Sequence, residues 1–184
     1  MKCLVGRSLA VVLLNSALVL AGPVAEPSRS AAVAKQLADA LTAHKLDAIA
    51  AKDPDEADRF IAALFYPGAQ LLVVSARYSV PAALDAKLAQ QAYHDVYLDL
   101  QSSPIANTGV FYQDLKADGL CASRDQPADI LYAGSAAPKV FDGDWEKHKL
   151  SQKSYEEQYA AADQQYARML QILLSRLEPS ATTR

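Results

Sequence analysis

The residues with the clearest chemical potential form one short cluster, Ser75-Ala76-Arg77-Tyr78-Ser79. Alternate residues of a β-strand share a face, so Ser75, Arg77 and Ser79 lie together if the strand continues to its end. Two hydroxyls and a guanidinium that converge before a helix can hold a phosphate group, helped by the first amides of that helix. The alternative is a strand end that bonds its own turn and pairs Arg77 with a carboxylate.

The other polar motifs are weaker candidates for chemistry. The chain has no Gly-x-Ser-x-Gly, Walker or Gly-x-Gly-x-x-Gly motif, and no His-x-x-x-His or Cys-x-x-Cys pair. Asp142-Gly143-Asp144 is similar to part of a calcium loop, but Glu146 does not have the spacing of the distal ligand. We expect a tight turn there, followed by Trp145 packed on the body of the protein. The histidines, none with a partner at metal-ligand spacing, are His44, His94 and His148.

The composition is that of an ordinary globular protein. The chain has 184 residues, of which 51% are apolar, and its 18 basic and 21 acidic residues give a formal net charge of −3. These values exclude intrinsic disorder and a small disulfide-stapled scaffold. Binding to a phosphate backbone needs clustered Lys and Arg, so we expect no nucleic-acid partner.

Residues 1–21 have the pattern of a secretory signal peptide. Lys2 and Arg7 supply the positive charge, and an apolar run follows that ends in residues suited to cleavage after Ala21. The alternative is a membrane anchor, which needs roughly 20 apolar residues, more than this run provides. We expect cleavage and a secreted or periplasmic protein with no further attachment to a membrane.

Cleavage leaves a single cysteine. Cys3 belongs to the leader, so Cys121 has no internal disulfide partner in the mature chain. A lone thiol in an oxidising compartment is either buried or paired between chains. We expect burial, because a free cysteine packs as a small hydrophobic residue.

The elements that position the cluster follow from hydrophobic periodicity. Val33, Leu37 and Leu41 recur at steps of four, which predicts a helix with Ser30 as a candidate cap. The continuous apolar run before Ser75 predicts a strand that is buried on both faces. The predicted elements are a helix at 30–43, a helix end or strand at 46–50, strands at 60–66 and 70–78, a helix at 81–91, strands at 96–100 and 110–115, and a short strand near 130–132 within a loop-rich stretch at 120–149.

The last predicted element is a helix of about 24 residues. Ser154 and Glu157 have the spacing of a capping box, and Pro179 ends the helix. Its apolar stripe consists of Tyr155, Tyr159, Ala162, Tyr166, Met169, Leu170, Leu173 and Leu177. We expect this stripe to be buried against the body of the protein or against a second copy.

The order of elements around the cluster resembles the opening half of the FMN-binding split barrels of the pyridoxamine-phosphate-oxidase type. The resemblance covers about Leu46–Leu115 and depends on the element order together with Ser75, Arg77 and Ser79. It implies that these three residues hold the FMN phosphate and that two subunits enclose the cofactor as a homodimer. Pro81 stands where that family commonly has a lysine.

The predicted fold class is therefore α+β, with a small antiparallel, split-barrel-like sheet flanked by helices and a long C-terminal helix. The predicted divisions are a signal peptide at 1–21, a flexible lead-in at 22–29, a single domain at 30–179 and a tail at 180–184.

Three functions are compatible with this sequence. The first is an exported, non-catalytic domain that binds a partner or a ligand, such as a small phosphorylated molecule. The second is an FMN- or haem-associated oxidoreductase on a split barrel, and the third is a structural protein that assembles through its C-terminal helix. We favour the first, because the sequence contains no complete catalytic constellation.

Overall fold

The computed structural model describes residues 28–56, 59–78, 109–121, 123–134 and 136–177, with the backbone alone for Arg77 and Tyr78. The elements are α1 (Arg29–Ala43), β1 (Ala48–Lys52), β2 (Arg59–Tyr66), a single 3-10 turn (Pro67–Ala69), β3 (Leu71–Tyr78), β4 (Gly109–Leu115), β5 (Asp129–Ala133), β6 (Lys139–Phe141) and α2 (Gln152–Leu177). The predicted α+β class, with an antiparallel sheet and a long C-terminal helix, is confirmed. The predicted signal peptide, the helix at 81–91, the strand at 96–100 and the tail lie outside the described residues.

The six strands in the described part of the chain form one antiparallel sheet, and each pairs with the described strands before and after it in sequence. β3 lies inside the sheet, where Val74 is opposite Ala63 on β2 and Tyr112 on β4. Residues 72–76 are all buried. This confirms the prediction that the apolar run of β3 is buried on both faces.

Both described helices pack on the same face of the sheet, which we call the helix face. The core there combines Leu37 and Leu41 of α1 with Leu170 of α2, and with Val74 and Tyr112 of the sheet. A separate apolar cluster on the opposite face, which we call the second face, is formed by strand residues. The members of that cluster are Ala48, Leu64, Val73 and Phe111, with Ala62, Tyr66, Leu71 and Tyr132 packed around them.

The predicted stripe of α2 is buried within the chain. Tyr155, Ala162, Tyr166, Met169, Leu170 and Leu173 are buried, and Tyr159 and Leu177 are partly buried against the same core. The opposite side of α2 is exposed and polar. Within the ranges that the structure describes, no helix is both long enough and apolar enough to cross a membrane.

Each helix begins at a different serine from the one that the sequence suggested. Ser28 is the N-cap of α1, whereas Ser30 lies inside the first turn with a buried side chain. At the start of α2, the Oγ of Ser151 accepts a hydrogen bond from the backbone N–H of Ser154 at 3.1 Å. The prediction that Ser154 begins this helix was wrong, because two serines three residues apart both satisfy the local capping pattern.

The stretch at 120–149 contains two strands rather than the one that was predicted. β5 extends the predicted strand near 130–132 by one residue at each end. β6 has only three residues and directly follows Pro138, so neither its length nor its flank gave a strand signal. Its place in the sheet depends on burial of Phe141 in the core.

Candidate functional site

Ser75 lies in the interior of the sheet rather than at an open strand end. Its neighbours across the ladders are Ala62 on β2 and Phe111 on β4, and it is 3% exposed. Phe111 packs edge-on against Tyr132, with 5.6 Å between the ring centroids. The hydroxyl of Ser75 therefore lies among apolar side chains on the second face.

The structure describes only part of the predicted phosphate site. The backbone of Arg77 pairs with Phe60 and with Gly109, at the end of the β3–β4 ladder. Ser79 and the helix that was predicted to follow it lie outside the described residues. The convergence of Ser75, Arg77 and Ser79 on a phosphate stays a prediction.

The connection that follows β3 is much longer than the sheet requires. β3 and β4 are antiparallel neighbours, and a loop of two to five residues joins such strands in most hairpins. Here residues 79–108 stand between them.

The helix face contains buried polar groups that sequence analysis did not single out, and Asp163 of α2 is the most connected of them. Its carboxylate accepts hydrogen bonds from the hydroxyls of Ser28 and Ser30 at 2.6 and 2.7 Å. It also accepts the backbone N–H groups of Arg29 and Ser30 at 2.7 and 3.0 Å. Asp163 thus caps the N-terminus of α1 from another helix, where a negative charge is favoured.

Asp114 holds the loop that leaves β4. Its carboxylate accepts the N–H groups of Asp118 and Gly119 at 3.2 and 3.0 Å, and the hydroxyl of Tyr166 donates to it at 3.0 Å. Asp114 is fully buried, and this burial raises its pKa to about 7.

Asp129 holds the same loop from β5. It accepts the N–H groups of Leu115 and Cys121 at 2.8 and 2.7 Å. Burial, reinforced by the neighbouring Asp114, raises its pKa to about 7. The two carboxyl groups therefore fasten both ends of the loop to the sheet.

Leu120 connects this loop to both helices. Its N–H donates to Ser30 Oγ of α1 at 2.9 Å, and its carbonyl oxygen accepts the hydroxyl of Tyr159 of α2 at 2.8 Å. The Leu120 side chain belongs to the core of the helix face.

We predict that Gly119→Ala destabilises the protein by about 2–3 kcal/mol. Gly119 has a φ of +88°, and an added Cβ would lie 2.5 Å from the backbone N and Cα of Ala31 on α1. Gly68→Ala is the matched control, because a Cβ there meets no atom within 4 Å. Thermal unfolding of the two variants checks this, and equal melting temperatures would show that the loop does not pack closely on α1.

An ionic cluster joins the turn between β1 and β2 to α2. Arg168 donates to both carboxylate oxygens of the buried Asp53, at 2.7 and 3.2 Å, and to Asp55 at 2.7 Å. Arg59, also buried, lies 3.6 Å from Asp53 and pairs with Glu56 at 2.7 Å. The bidentate geometry fixes the position of this turn against α2.

The predicted tight turn at 142–144 is confirmed. The Asp142 carboxylate accepts the N–H of Asp144 at 3.0 Å, and Gly143 has a φ of +72°. Trp145 is partly buried against the core of the helix face, and the guanidinium of Arg124 lies 5.5 Å from its ring centroid.

His148 is paired with Asp142 beside this turn. Its Nε2 lies 2.8 Å from Asp142 Oδ1, and its ring stacks on Tyr155. Burial alone would raise the pKa of Asp142, but hydrogen bonds from Lys147, the Asp144 N–H and His148 lower it to about 2. Among the described residues no hydroxyl or thiol is hydrogen-bonded to His148, so this part of the chain supplies the imidazole with no nucleophile to activate.

The structure does not give Cys121 the setting of a reactive thiol. It is partly exposed, not fully buried as predicted. Burial and the nearby Asp129 and Asp118 raise its pKa, although a hydrogen bond from the Ser123 N–H and the charge of Lys116 oppose the shift. A raised pKa disfavours the nucleophilic thiolate at neutral pH. Within the described ranges, no group of three or more His, Cys, Asp or Glu side chains could hold a metal ion.

The fold and these contacts define an α+β protein whose helix face is an apolar core with buried, internally bonded polar groups, and whose second face is apolar around Ser75. No protein-family model matches the chain, and no curated protein or solved structure is similar enough to count as a match.

Proposed function

We propose that this chain is an exported α+β domain that binds a small ligand on the second face of its sheet and catalyses no reaction. The observation that carries the proposal is a second apolar cluster on the face of the sheet opposite both described helices, with the hydroxyl of Ser75 among its side chains. Val73, Ser75 and Phe111 are 1, 3 and 4% exposed, although α1 and α2 both pack on the opposite side of the sheet. Export is supported by the pattern of Lys2, Arg7 and the apolar run after them.

The burial of this face favours a small ligand over a protein partner. A protein partner would need an open apolar patch. Among the described residues, Leu46 is the only large hydrophobic side chain that is exposed. The alternative of assembly through α2 has little support, because its apolar stripe is already buried within the chain.

The polar interior supports binding rather than catalysis. A catalytic acid or base must face its substrate. Asp163, Asp114 and Asp129 instead accept hydrogen bonds from backbone amides of their own chain. The buried Asp53 is neutralised by Arg168. These groups are engaged in holding α1, the 116–121 loop and the β1–β2 turn.

The side chains of the second face indicate the chemistry of the ligand. Leu64, Val73 and Phe111 offer apolar surface, and the hydroxyl of Ser75 offers one hydrogen-bonding group. A largely apolar molecule with a single polar group would match these side chains, since ligand sites are commonly apolar with few oriented polar groups.

The alternative proposal is an FMN- or haem-associated oxidoreductase. The observation that favours it is Ser75, two residues before Arg77 on a buried strand of an antiparallel sheet. If FMN is the ligand, Arg77→Ala should weaken it by roughly 10- to 150-fold, because an Arg–phosphate contact contributes about 1.5–3 kcal/mol. Arg77→Lys should recover part of this, since an ammonium cannot reproduce the fork of a guanidinium.

One titration series distinguishes the two proposals. The protein is produced with its leader, recovered from the exported fraction, and titrated separately with FMN and with 1-anilinonaphthalene-8-sulfonate, an apolar dye with one anionic group. We expect saturable binding of the dye, no binding of FMN, and an absorption spectrum without flavin or haem bands. A bound flavin or haem, or an FMN affinity that depends on Arg77, would contradict binding without catalysis and support the oxidoreductase.

A further inference from the structure

Asp114 and Asp129 are placed directly opposite each other at the end of the β4–β5 ladder. Gln113 pairs with Ile130, so the next residues in this antiparallel register are Asp114 and Asp129. Like charges in facing positions of a sheet repel each other. Both residues are fully buried on the helix face, where the repulsion would be screened poorly.

The loop between these two residues has an unfavourable backbone that needs support. Lys116, Ala117 and Gly119 have φ values of +82°, +53° and +88°, a region that side chains with a Cβ rarely adopt. The loop keeps this shape while Asp114 and Asp129 accept three of its backbone N–H groups, together with that of Leu115 at the end of β4. Through Leu120 the same loop supports the start of α1 and the middle of α2.

Among the residues that the structure describes, the charged and titratable groups named below do not neutralise the pair. From the loop, Asp118 adds a further negative charge, while Lys116 is exposed and its Nζ lies 3.3 Å from Gln126. From α2, the hydroxyl of Tyr166 donates to Asp114, and Asp163 and Tyr159 lie near the loop. From α1, the hydroxyl of Ser30 accepts the N–H of Leu120, and at the end of the loop burial raises the pKa of the Cys121 thiol.

We propose that Asp114 and Asp129 form a proton-operated clamp that holds the 116–121 loop against both helices more tightly in acid than at neutral pH. In acid each buried carboxyl group is neutral, and its carbonyl oxygen still accepts an amide hydrogen bond of the loop. As the pH rises, the open loop is favoured, because opening lets water solvate the carboxylates and separates two facing charges.

The direction of the pH dependence follows from linkage. The pKa of each carboxyl is 3.8 in the absence of the fold and about 7 in the closed structure. The stabilisation of the closed loop is fully present below the lower pKa and is lost as the pH rises towards the upper pKa. Between these two pKa values, the equilibrium constant for opening of the loop increases by up to tenfold per pH unit for each carboxyl group. Above the upper pKa, the constant no longer depends on pH.

Amide hydrogen exchange measured by NMR tests the clamp. We expect protection factors, corrected for intrinsic exchange rates, to be at least tenfold higher at pH 5 than at pH 7 for Leu115, Gly119, Leu120 and Cys121. Equal protection at the two pH values in the wild-type protein would overturn the proposal.

Two variants identify the groups responsible. Asp129→Asn keeps one accepting oxygen but cannot ionise. It should therefore remove at least half of the change in the logarithm of the protection factor between pH 5 and pH 7, and Asp114→Asn should do the same. Asp39→Asn is the matched control, because Asp39 is exposed on α1 and pairs with the exposed Lys35. It should keep the wild-type pH dependence. An undiminished dependence in both Asp129→Asn and Asp114→Asn would assign the effect to other groups and contradict the clamp.

Discussion

Leu173→Asp is expected to leave the protein largely unfolded at room temperature. Leu173 is fully buried on α2 within the core of the helix face. Removing a leucine side chain from such a site costs about 3–5 kcal/mol, and burying a carboxyl group there adds several more. The sum is comparable to the whole stability of a typical domain, roughly 5–15 kcal/mol. Circular dichroism and thermal unfolding measure the loss.

Gln171→Asp is the control for this substitution. Gln171 lies two residues earlier on the same helix and is exposed, so the same new charge should change stability by only about 0.5 kcal/mol. If Leu173→Asp and Gln171→Asp melted at the same temperature, α2 would not be docked as described.

Asp163→Ala is expected to destabilise the protein by roughly 4 kcal/mol or more. The substitution deprives two hydroxyls and two backbone N–H groups of their acceptor. One hydroxyl can still donate to the other at 2.8 Å, so three donors lose their partner, at about 1–3 kcal/mol for each one that is buried. The start of α1 should open first, because the Ser28 side chain makes no capping bond within its own helix. Thermal unfolding gives the total loss, and hydrogen exchange of the first α1 amides locates it.

Two further substitutions calibrate this result. Asp163→Asn keeps one accepting oxygen and should lose about half as much stability. Asp39→Ala removes an exposed carboxylate whose pair with Lys35 contributes little, typically 0–1 kcal/mol. A loss in Asp163→Ala no larger than in Asp39→Ala would show that Asp163 does not cap α1.

Local sequence patterns predicted the helices and strands in which apolar side chains recur at a regular spacing over at least two helical turns or one full strand. The four-residue steps of α1, the apolar run of β3 and the stripe of α2 all gave correct elements. β6 was missed because three residues are too few to show alternation. The starts of both helices were misplaced, because several serines near each start fit the same short capping pattern.

The site was less predictable, because its contacts join residues that are far apart in sequence. Asp163 and Ser30 are separated by 133 positions and Tyr166 and Asp114 by 52. No local spacing links either pair. An acidic residue on the apolar side of α2 is the one signal that could have been noticed, since Asp163 follows Ala162 inside the buried stripe. Ser75 was singled out by residue type, but its enclosure depends on the sheet and is not visible in the local sequence.

The clamp and the proposed binding face are on opposite sides of the same sheet. β4 contributes Asp114 to the helix face and Phe111 to the second face. The two proposals remain independent, because the hydrogen-exchange experiment reports on the loop at 116–121, whereas ligand titration reports on the second face.

Dye titration of Ala62→Leu tests the central claim of ligand binding on the second face most directly. Ala62 lies opposite Ser75 and is only partly buried, so a leucine there should place a larger side chain beside Ser75 on the second face while the fold is kept. The control is Ala160→Leu, which adds the same side chain at an exposed position of α2. We predict that Ala62→Leu weakens binding of 1-anilinonaphthalene-8-sulfonate at least tenfold and that Ala160→Leu leaves it unchanged. Equal affinities in the wild-type protein and in a folded Ala62→Leu variant would contradict the assignment of the ligand to this face.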